Sequence, residues 1–124
     1  MSNKEEQMAK ILVVDDDAAI RKMWEAILSG TYKHVVLLAS DGRDALRIID
    51  KNPDIALVVS DCEMPNMDGF ELAQELNRNR PDLKLVLTSG SVEPGITTRA
   101  IASGAWAFVP KPWQKGMLDL FFKF

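Results

Sequence analysis

Short continuous runs of apolar residues alternate along the chain with longer stretches whose apolar residues recur every three or four positions. A continuous apolar run bounded by polar or turn-forming residues is typical of a strand that is buried on both faces of a sheet. These runs predict five strands, at Lys10–Asp15, His34–Ser40, Ile55–Asp61, Leu83–Ser89 and Ala105–Pro110.

Helical periodicity fills the segments between these strands. The predicted helices cover residues 18–30, 41–52, 70–79, 96–104 and 114–124. In the first helix the apolar residues that share one face are Ile20, Met23, Trp24, Ile27 and Leu28. Asp17 is placed to cap the start of that helix, and Gly30 is placed to end it.

The regular alternation of strand and helix, with short connections, indicates an α/β fold with a parallel sheet and helices on both of its faces. The periodicity leaves the order of the strands open. In sheets of this kind a ligand binds outside the carboxyl ends of the strands. The residues that directly follow the predicted strands are therefore the first candidates for a functional site.

Length and composition narrow the classes of function. The 124 residues suit one domain, with a solvated tail at residues 1–9 and the domain itself at residues 10–124. The net charge of −3 offers no basic footprint for nucleic acid, and no apolar run approaches the roughly 20 residues that span a bilayer. We therefore expect neither direct nucleic-acid binding nor a membrane span. Cys62 is the single cysteine, which fits a reducing compartment such as the cytoplasm.

Polar side chains stand at the ends of most of the predicted strands. In chain order they are Asp15, Asp16, Asp17, Asp61, Thr88, Ser89 and Lys111. In a parallel sheet these residues meet at one edge, where the carboxylates of Asp15, Asp16 and Asp61 suit Mg²⁺. A carboxylate beside a metal ion, a lysine and a hydroxyl also suits phosphoryl transfer with Asp as the nucleophile. Asp61 is the best candidate nucleophile because it is the lone acid at its strand end.

Four motifs, in this order and spacing, resemble the receiver domain of bacterial two-component response regulators. They are "ILVVDDD", "VVSDCEMPNMDGFEL", "LVLTSGS" and "GAWAFVPKPW". The resemblance covers residues 10–124. It implies a flavodoxin-like (βα)5 three-layer sandwich with a parallel sheet in the order 2-1-3-4-5.

The resemblance also implies roles for the acidic residues. Asp61 would be the phosphoacceptor. Asp16 would bind Mg²⁺ directly, Asp15 would bind it mainly through water, and the backbone carbonyl of Glu63 would supply another ligand. Asp17 matches no essential role in the family, and we expect it to cap the helix that follows.

Four further residues take implied roles around the phosphoryl group. Thr88 would hydrogen-bond to that group, and Lys111 would pair first with Asp61 and then with the phosphate. The Lys111–Pro112 peptide bond is expected to be cis. Phe108 stands where the family usually has a Tyr or another aromatic that rotates inward with the threonine. A plain core role for Phe108 is the alternative.

The function implied is a phosphorylation-dependent switch that catalyses only its own phosphoryl transfer and dephosphorylation. The phosphodonor would be a sensor histidine kinase, a phosphotransfer protein or a small acyl phosphate. The surface formed by the fourth helix, fifth strand and fifth helix would change, and it is also the expected face for a homodimer. We expect a partner, a second copy or a further domain to cover the face with Phe121 or Phe122. The chain is thus either a stand-alone receiver or a segment of a longer regulator.

Two other functions remain open at this point. In a phosphatase of the haloacid-dehalogenase type, Asp15 and Asp17 would form the nucleophile motif, although Ala19 stands where that motif has Thr or Val. In a receiver-like interaction module, Asp61 would not be phosphorylated. We also expect His34 to be a surface histidine and Trp113 to have a packing role.

Overall fold

The structure, a computed structural model, describes residues 8–123. The strands are β1 (Lys10–Val14), β2 (Val35–Ala39), β3 (Ile55–Asp61), β4 (Lys84–Ser89) and β5 (Ala107–Pro110). The helices are α1 (Ala18–Ala26), α2 (Gly42–Lys51), α3 (Gly69–Asn79), α4 (Ile96–Ala102) and α5 (Lys115–Phe122), with a π-helical segment at Ile27–Thr31. Strand and helix alternate as the sequence predicts, and most bounds differ by one or two residues.

The five strands form one parallel sheet in the order β2-β1-β3-β4-β5. Helices α1 and α5 cover one face, and α2, α3 and α4 cover the other. The flavodoxin-like three-layer fold and its strand order are therefore confirmed. Because every strand is parallel, the carboxyl ends of all five lie along one edge of the sheet.

The continuous apolar runs are explained by burial on both faces of the central strands. In β1, Leu12 and Val14 belong to the core under α2–α4, while Ile11 and Val13 belong to the core under α1 and α5. All four side chains are at most 1% exposed. A strand with side chains in both cores has no solvent face and so shows no polar alternation.

Two predictions about the segment between α1 and β2 are wrong. Gly30 does not end the helix, because the chain continues through the π-helical segment and the left-handed backbone conformation falls on Lys33. His34 is buried rather than on the surface. Its Nδ1 accepts from the Ala9 amide at 3.1 Å and its Nε2 donates to the Phe122 carbonyl at 2.6 Å.

Acidic side chains cap the helices that begin at the carboxyl edge of the sheet. Asp17 accepts from the amide of Ala19 at the start of α1, as the sequence predicts. Asp68 and Glu71 form a reciprocal capping box at the start of α3. Each cap satisfies an amide that the helix leaves without a partner, so the loops above the sheet edge enter their helices in fixed positions.

The apolar end of the chain divides between the core and the surface. Phe122 is 1% exposed and belongs to the core, so it needs no partner to cover it. Phe121 is half-buried and packs edge-on against Trp106, with ring centroids 5.5 Å apart. The last residue of the predicted fifth helix, Phe124, and most of the predicted tail lie outside residues 8–123. Within that range, no helix is long and apolar enough to span a membrane.

Gly69 is the place where α3 approaches the sheet most closely. A Cβ added to Gly69 would clash with the Asp61 carbonyl oxygen and lie 2.8 Å from Cδ2 of Leu87. The backbone of α3 thus packs directly on the end of β3, beside the predicted site. Only glycine fits here without moving one of the two elements.

We expect Gly69→Ala to lower the free energy of unfolding by about 3 kcal/mol, since overpacking of this kind displaces backbone. Gly116→Ala in α5 is the matched control, because a Cβ there meets open space, and alanine favours the helix by up to about 1 kcal/mol. Urea denaturation measures both variants. Equal stability of the two variants would contradict the close approach.

Candidate functional site

Three carboxylates meet at the carboxyl edge of the sheet. One oxygen each from Asp15, Asp16 and Asp61 lie within 4.8 Å of one another. Asp15 directly follows β1 and is 3% exposed, Asp61 ends the neighbouring strand β3 and is half-buried, and Asp16 faces solvent. The structure thus brings together the acidic cluster that the sequence predicts.

The loop after β1 fixes Asp15 through its own backbone and side chain. The Asp15 amide donates to the Ala39 carbonyl at 3.1 Å, and the Asp15 carboxylate accepts from the Asp17 amide at 2.9 Å. Arg21 in α1 donates through Nη1 to the Asp15 carbonyl at 2.7 Å. The sequence reasoning missed Arg21. The signal that could have found it is a basic residue within the first two turns after the acidic run.

Lys111 is the cation that faces this cluster. Its Nζ lies 3.8 Å from Oδ1 of Asp61, an ion pair that is too long for a hydrogen bond. Its amide donates to the Ser89 carbonyl at 2.9 Å, which ties the end of β5 to the end of β4. The Lys111–Pro112 peptide bond is cis.

Burial first, and neighbouring negative charge second, raise the affinity of Asp15 and Asp61 for protons. Burial raises the pKa of Asp61 to about 6, and the negative charge of Asp15 adds to this effect while Lys111 opposes it. Burial also raises the pKa of Asp15, against the hydrogen bond from the Asp17 amide. The cluster therefore holds more negative charge at neutral pH than Lys111 offsets. Hard carboxylate oxygens that are close together and short of positive charge fit a divalent cation such as Mg²⁺.

Thr88 lies beside Asp61 on the next strand. The two residues are register partners in the β3–β4 pair, and Thr88 is 1% exposed. Its hydroxyl oxygen accepts a hydrogen bond of 2.7 Å from Nε1 of Trp113. The packing role expected for Trp113 is incomplete, since the indole also bonds directly to a predicted site residue. An indole directly after the Lys-Pro pair is the feature of the sequence that signals this contact.

Phe108 and Thr88 lie on opposite faces of the sheet. In the β4–β5 pair Phe108 is the partner of Leu87, while Val109 is the partner of Thr88. Phe108 is half-buried and packs against the core under α2–α4, whereas Val109 belongs to the core under α1 and α5. By strand alternation Phe108 therefore faces the opposite side of the sheet from Thr88.

The loop between β3 and α3, which contains Glu63, is held at both ends. The Cys62 amide donates to the Thr88 carbonyl at 3.1 Å, and the Gly69 amide donates to the Cys62 carbonyl at 3.0 Å. In the middle, Nδ2 of Asn66 donates to Asp41 at 2.7 Å. Asn66 adopts a left-handed conformation, which asparagine tolerates better than most residues. Glu63 extends its side chain into solvent.

The thiol of Cys62 is unreactive at neutral pH. Its side chain is fully buried in the core under α2–α4, on the side away from the carboxylates. Burial and the neighbouring charge of Asp61 raise the pKa of its thiol to about 12. The thiolate needed for nucleophilic or redox chemistry is therefore scarce at neutral pH.

Comparison of the chain with known proteins identifies its family. The sequence profile of the response regulator receiver domain matches residues 11–121. The chain is 44% identical over 117 residues to the protein-glutamate methylesterase/protein-glutamine glutaminase of Thiobacillus denitrificans, a match that covers 89% of the chain and 32% of that protein. It is 35% identical over 108 residues to the chemotaxis protein CheY of Listeria monocytogenes, covering 86% of the chain and 89% of CheY.

A solved structure agrees with these sequence relatives. The receiver domain protein of Clostridium thermocellum superposes with a TM-score of 0.84 at 27% identity, covering 94% of this chain and 92% of that one. The chain therefore belongs to the response regulator receiver domain family of two-component signalling. It spans about a third of the length of the methylesterase relative.

The raised pKa of Asp61 predicts how stability depends on pH without a divalent cation. A carboxyl group whose pKa is higher in the folded state binds its proton more tightly there, so ionisation opposes folding. The contribution of Asp61 is most favourable below pH about 4 and declines as the pH rises through about 6. One pKa unit corresponds to about 1.4 kcal/mol, and residual solvation reduces the full effect.

We expect Asp61→Asn to raise the free energy of unfolding by about 1–2 kcal/mol at pH 8 and to leave it nearly unchanged at pH 4. Denaturation in the presence of a chelator at both pH values measures this. Asp50→Asn, which alters an exposed carboxylate in the last turn of α2, should show no such difference. An Asp61→Asn variant that is no more stable than the parent protein at pH 8 would contradict the unfavourable environment of the Asp61 carboxylate.

Proposed function

We propose that the chain is a phosphorylation-dependent switch in which Asp61 accepts the phosphoryl group. The observation that carries this proposal is the half-buried Asp61 carboxylate, held within 4.8 Å of two other carboxylates and 3.8 Å from an ammonium group. Membership of the receiver family supports it. The donor would be the phosphohistidine of a sensor kinase or phosphotransfer protein, or a small acyl phosphate, and all of these place the function in the cytoplasm.

The reaction needs one nucleophile and one leaving group. An oxygen of the ionised Asp61 carboxylate forms a bond to phosphorus, and the bond from phosphorus to the donor oxygen or nitrogen breaks. An acyl phosphate releases its carboxylate. A phosphohistidine that is protonated on its other ring nitrogen releases neutral imidazole. Because the pKa of Asp61 lies at about 6, its attacking form predominates above that pH.

Asp15, Asp16 and Asp61 would hold Mg²⁺, and the resemblance to receivers adds the backbone carbonyl of Glu63. The ion supplies positive charge beside the transferring phosphoryl oxygens. The side chains fit this role because their oxygens already converge in the structure. Asp17 stays outside the site, since its carboxylate accepts from the Ala19 amide at 2.9 Å.

Two residues would recognise the phosphorylated product. A phosphoryl group adds about two negative charges at neutral pH, and the ammonium of Lys111 lies close enough to pair with it after a small movement. The hydroxyl of Thr88 can donate a hydrogen bond to a phosphoryl oxygen. These contacts would favour one of two conformations, as a ligand does when it binds one state more tightly.

The altered surface would be the face formed by α4, β5 and α5. Several large apolar side chains are exposed on or beside these elements, among them Ile101 at 50%, Trp106 at 46% and Leu120 at 76%. An apolar patch of this kind suits a protein partner or a second copy of the chain. An output domain in a longer regulator is the other partner proposed for this surface.

The test is intact-mass analysis after incubation with acetyl phosphate and Mg²⁺. We expect one phosphoryl adduct, lost in Asp61→Asn and with a chelator, and retained in the matched control Asp50→Asn. An adduct that survives in Asp61→Asn and disappears in Asp15→Asn would instead identify a phosphatase of the haloacid-dehalogenase type. If the parent protein gains no adduct and binds no beryllofluoride, the domain is a binding module and the proposal is wrong.

A further inference from the structure

Trp113 bonds to the hydroxyl that the proposed switch would use. Its Nε1 donates to Oγ1 of Thr88 at 2.7 Å, and Thr88 is 1% exposed. Within residues 8–123 this is the one hydrogen bond of the Thr88 side chain. The Asp61 carboxylate on the adjacent strand forms no hydrogen bond with the Thr88 hydroxyl. The resting position of this hydroxyl is therefore set by Trp113.

The same indole also contacts the site lysine. Nζ of Lys111 lies 5.2 Å from the centroid of the Trp113 ring, within the range in which a cation is attracted to an aromatic face. At 3.8 Å from Asp61 the ammonium is held only loosely by its carboxylate. Trp113 thus contacts both groups that a phosphoryl group on Asp61 would attract.

On its other side Trp113 joins the aromatic core under α1 and α5. Its ring centroid is 4.6 Å from that of Trp24 in α1, and Trp24 packs edge-on against Phe122 in α5 with a centroid distance of 5.5 Å. Trp113 also lies two positions before the start of α5 at Lys115. A shift of the indole would reach α1 through Trp24 and α5 through both the ring contacts and the chain itself.

We propose that Trp113 is a positioning residue that holds the switch in its resting state. Its N–H binds the Thr88 hydroxyl and its ring attracts Lys111 until a phosphoryl group on Asp61 takes both. The hydrogen bond from Trp113 to Thr88 then breaks, and the freed indole moves against Trp24 and the start of α5. The inference rests on the proposed phosphorylation of Asp61.

The chemistry of the two side chains explains why this bond opposes activation. The indole N–H can only donate, and at this half-buried position its partner is the oxygen of the buried Thr88. Turning the Thr88 hydroxyl toward a phosphoryl group breaks this hydrogen bond and leaves the indole N–H to find another acceptor. Trp113→Phe keeps a ring on Trp24 and removes the donor, so the resting state alone loses a bond.

The direct readout is the indole ¹H–¹⁵N resonance of Trp113, recorded with and without beryllofluoride and Mg²⁺. The three tryptophans give three indole signals, and single Trp→Phe variants assign them. We expect the Trp113 signal to shift upfield and exchange faster with water when beryllofluoride binds, because its hydrogen bond is lost. Trp106 packs on Phe121, so its signal reports separately on the surface formed by α4, β5 and α5.

The affinity for beryllofluoride gives a second readout, measured by calorimetric titration in Mg²⁺. We expect Trp113→Phe to bind about threefold to tenfold more tightly than the parent protein, the effect of removing one hydrogen bond from the resting state. Asn79→Ala, the matched control, removes a hydrogen bond on the exposed surface of α3 and should bind with unchanged affinity. In a Thr88→Val background the effect of Trp113→Phe should disappear, because the bond is already absent.

The outcomes separate this inference from the proposed function. If the parent protein gains no adduct with acetyl phosphate and binds no beryllofluoride, both are wrong. If the adduct forms at Asp61 but the Trp113 indole signal does not change, or Trp113→Phe binds no more tightly than Asn79→Ala, the restraining role is wrong and the phosphorylation stands. A purely structural Trp113 would show equal effects of Trp113→Phe in the Thr88→Val and parent backgrounds.

Discussion

The crowding of three carboxylates at one edge of a parallel sheet is the constraint on which the rest of the structure depends. Neighbouring strands β1 and β3 end in Asp15 and Asp61, and the parallel arrangement forces these ends together. Burial raises the pKa of both groups, so the fold retains an arrangement that is unfavourable at neutral pH. The loops around it are correspondingly well fixed, by Arg21 on the Asp15 carbonyl and by the close packing of α3 at Gly69.

This arrangement links stability to function. A site that lacks positive charge gains from a divalent cation, and Lys111 alone, 3.8 Å from Asp61, does not neutralise it. A phosphoryl group on Asp61 would then compete for Lys111 and for Thr88, the two groups that Trp113 contacts. In the account proposed here the electrostatic imbalance supplies the driving force, and the aromatic contacts from Trp113 to Trp24 and Phe122 carry the movement to α1 and α5.

Much of this was predictable from the sequence, because it depends on local patterns. Apolar runs gave the five strands, and the residues after them gave the acidic cluster, Thr88 and Lys111. Strand order came only through the motifs that resemble receivers, since periodicity carries no information on which strands are neighbours. Contacts between distant segments were missed. His34 is buried through bonds to Ala9 and Phe122, and Trp113 reaches Thr88 across 25 positions.

The pKa of Asp61, measured from its side-chain carboxyl ¹³C shift over a pH titration with and without Mg²⁺, shows directly whether this carboxylate is desolvated and whether the cluster holds the ion. We expect a pKa of about 6 in the presence of a chelator and a fall to about 4 or below when Mg²⁺ is present, because the cation favours the ionised form. A pKa of about 4 under both conditions would mean that the Asp61 carboxylate is neither desolvated nor crowded. A pKa that stays at about 6 in saturating Mg²⁺ would mean that the cluster does not hold the ion.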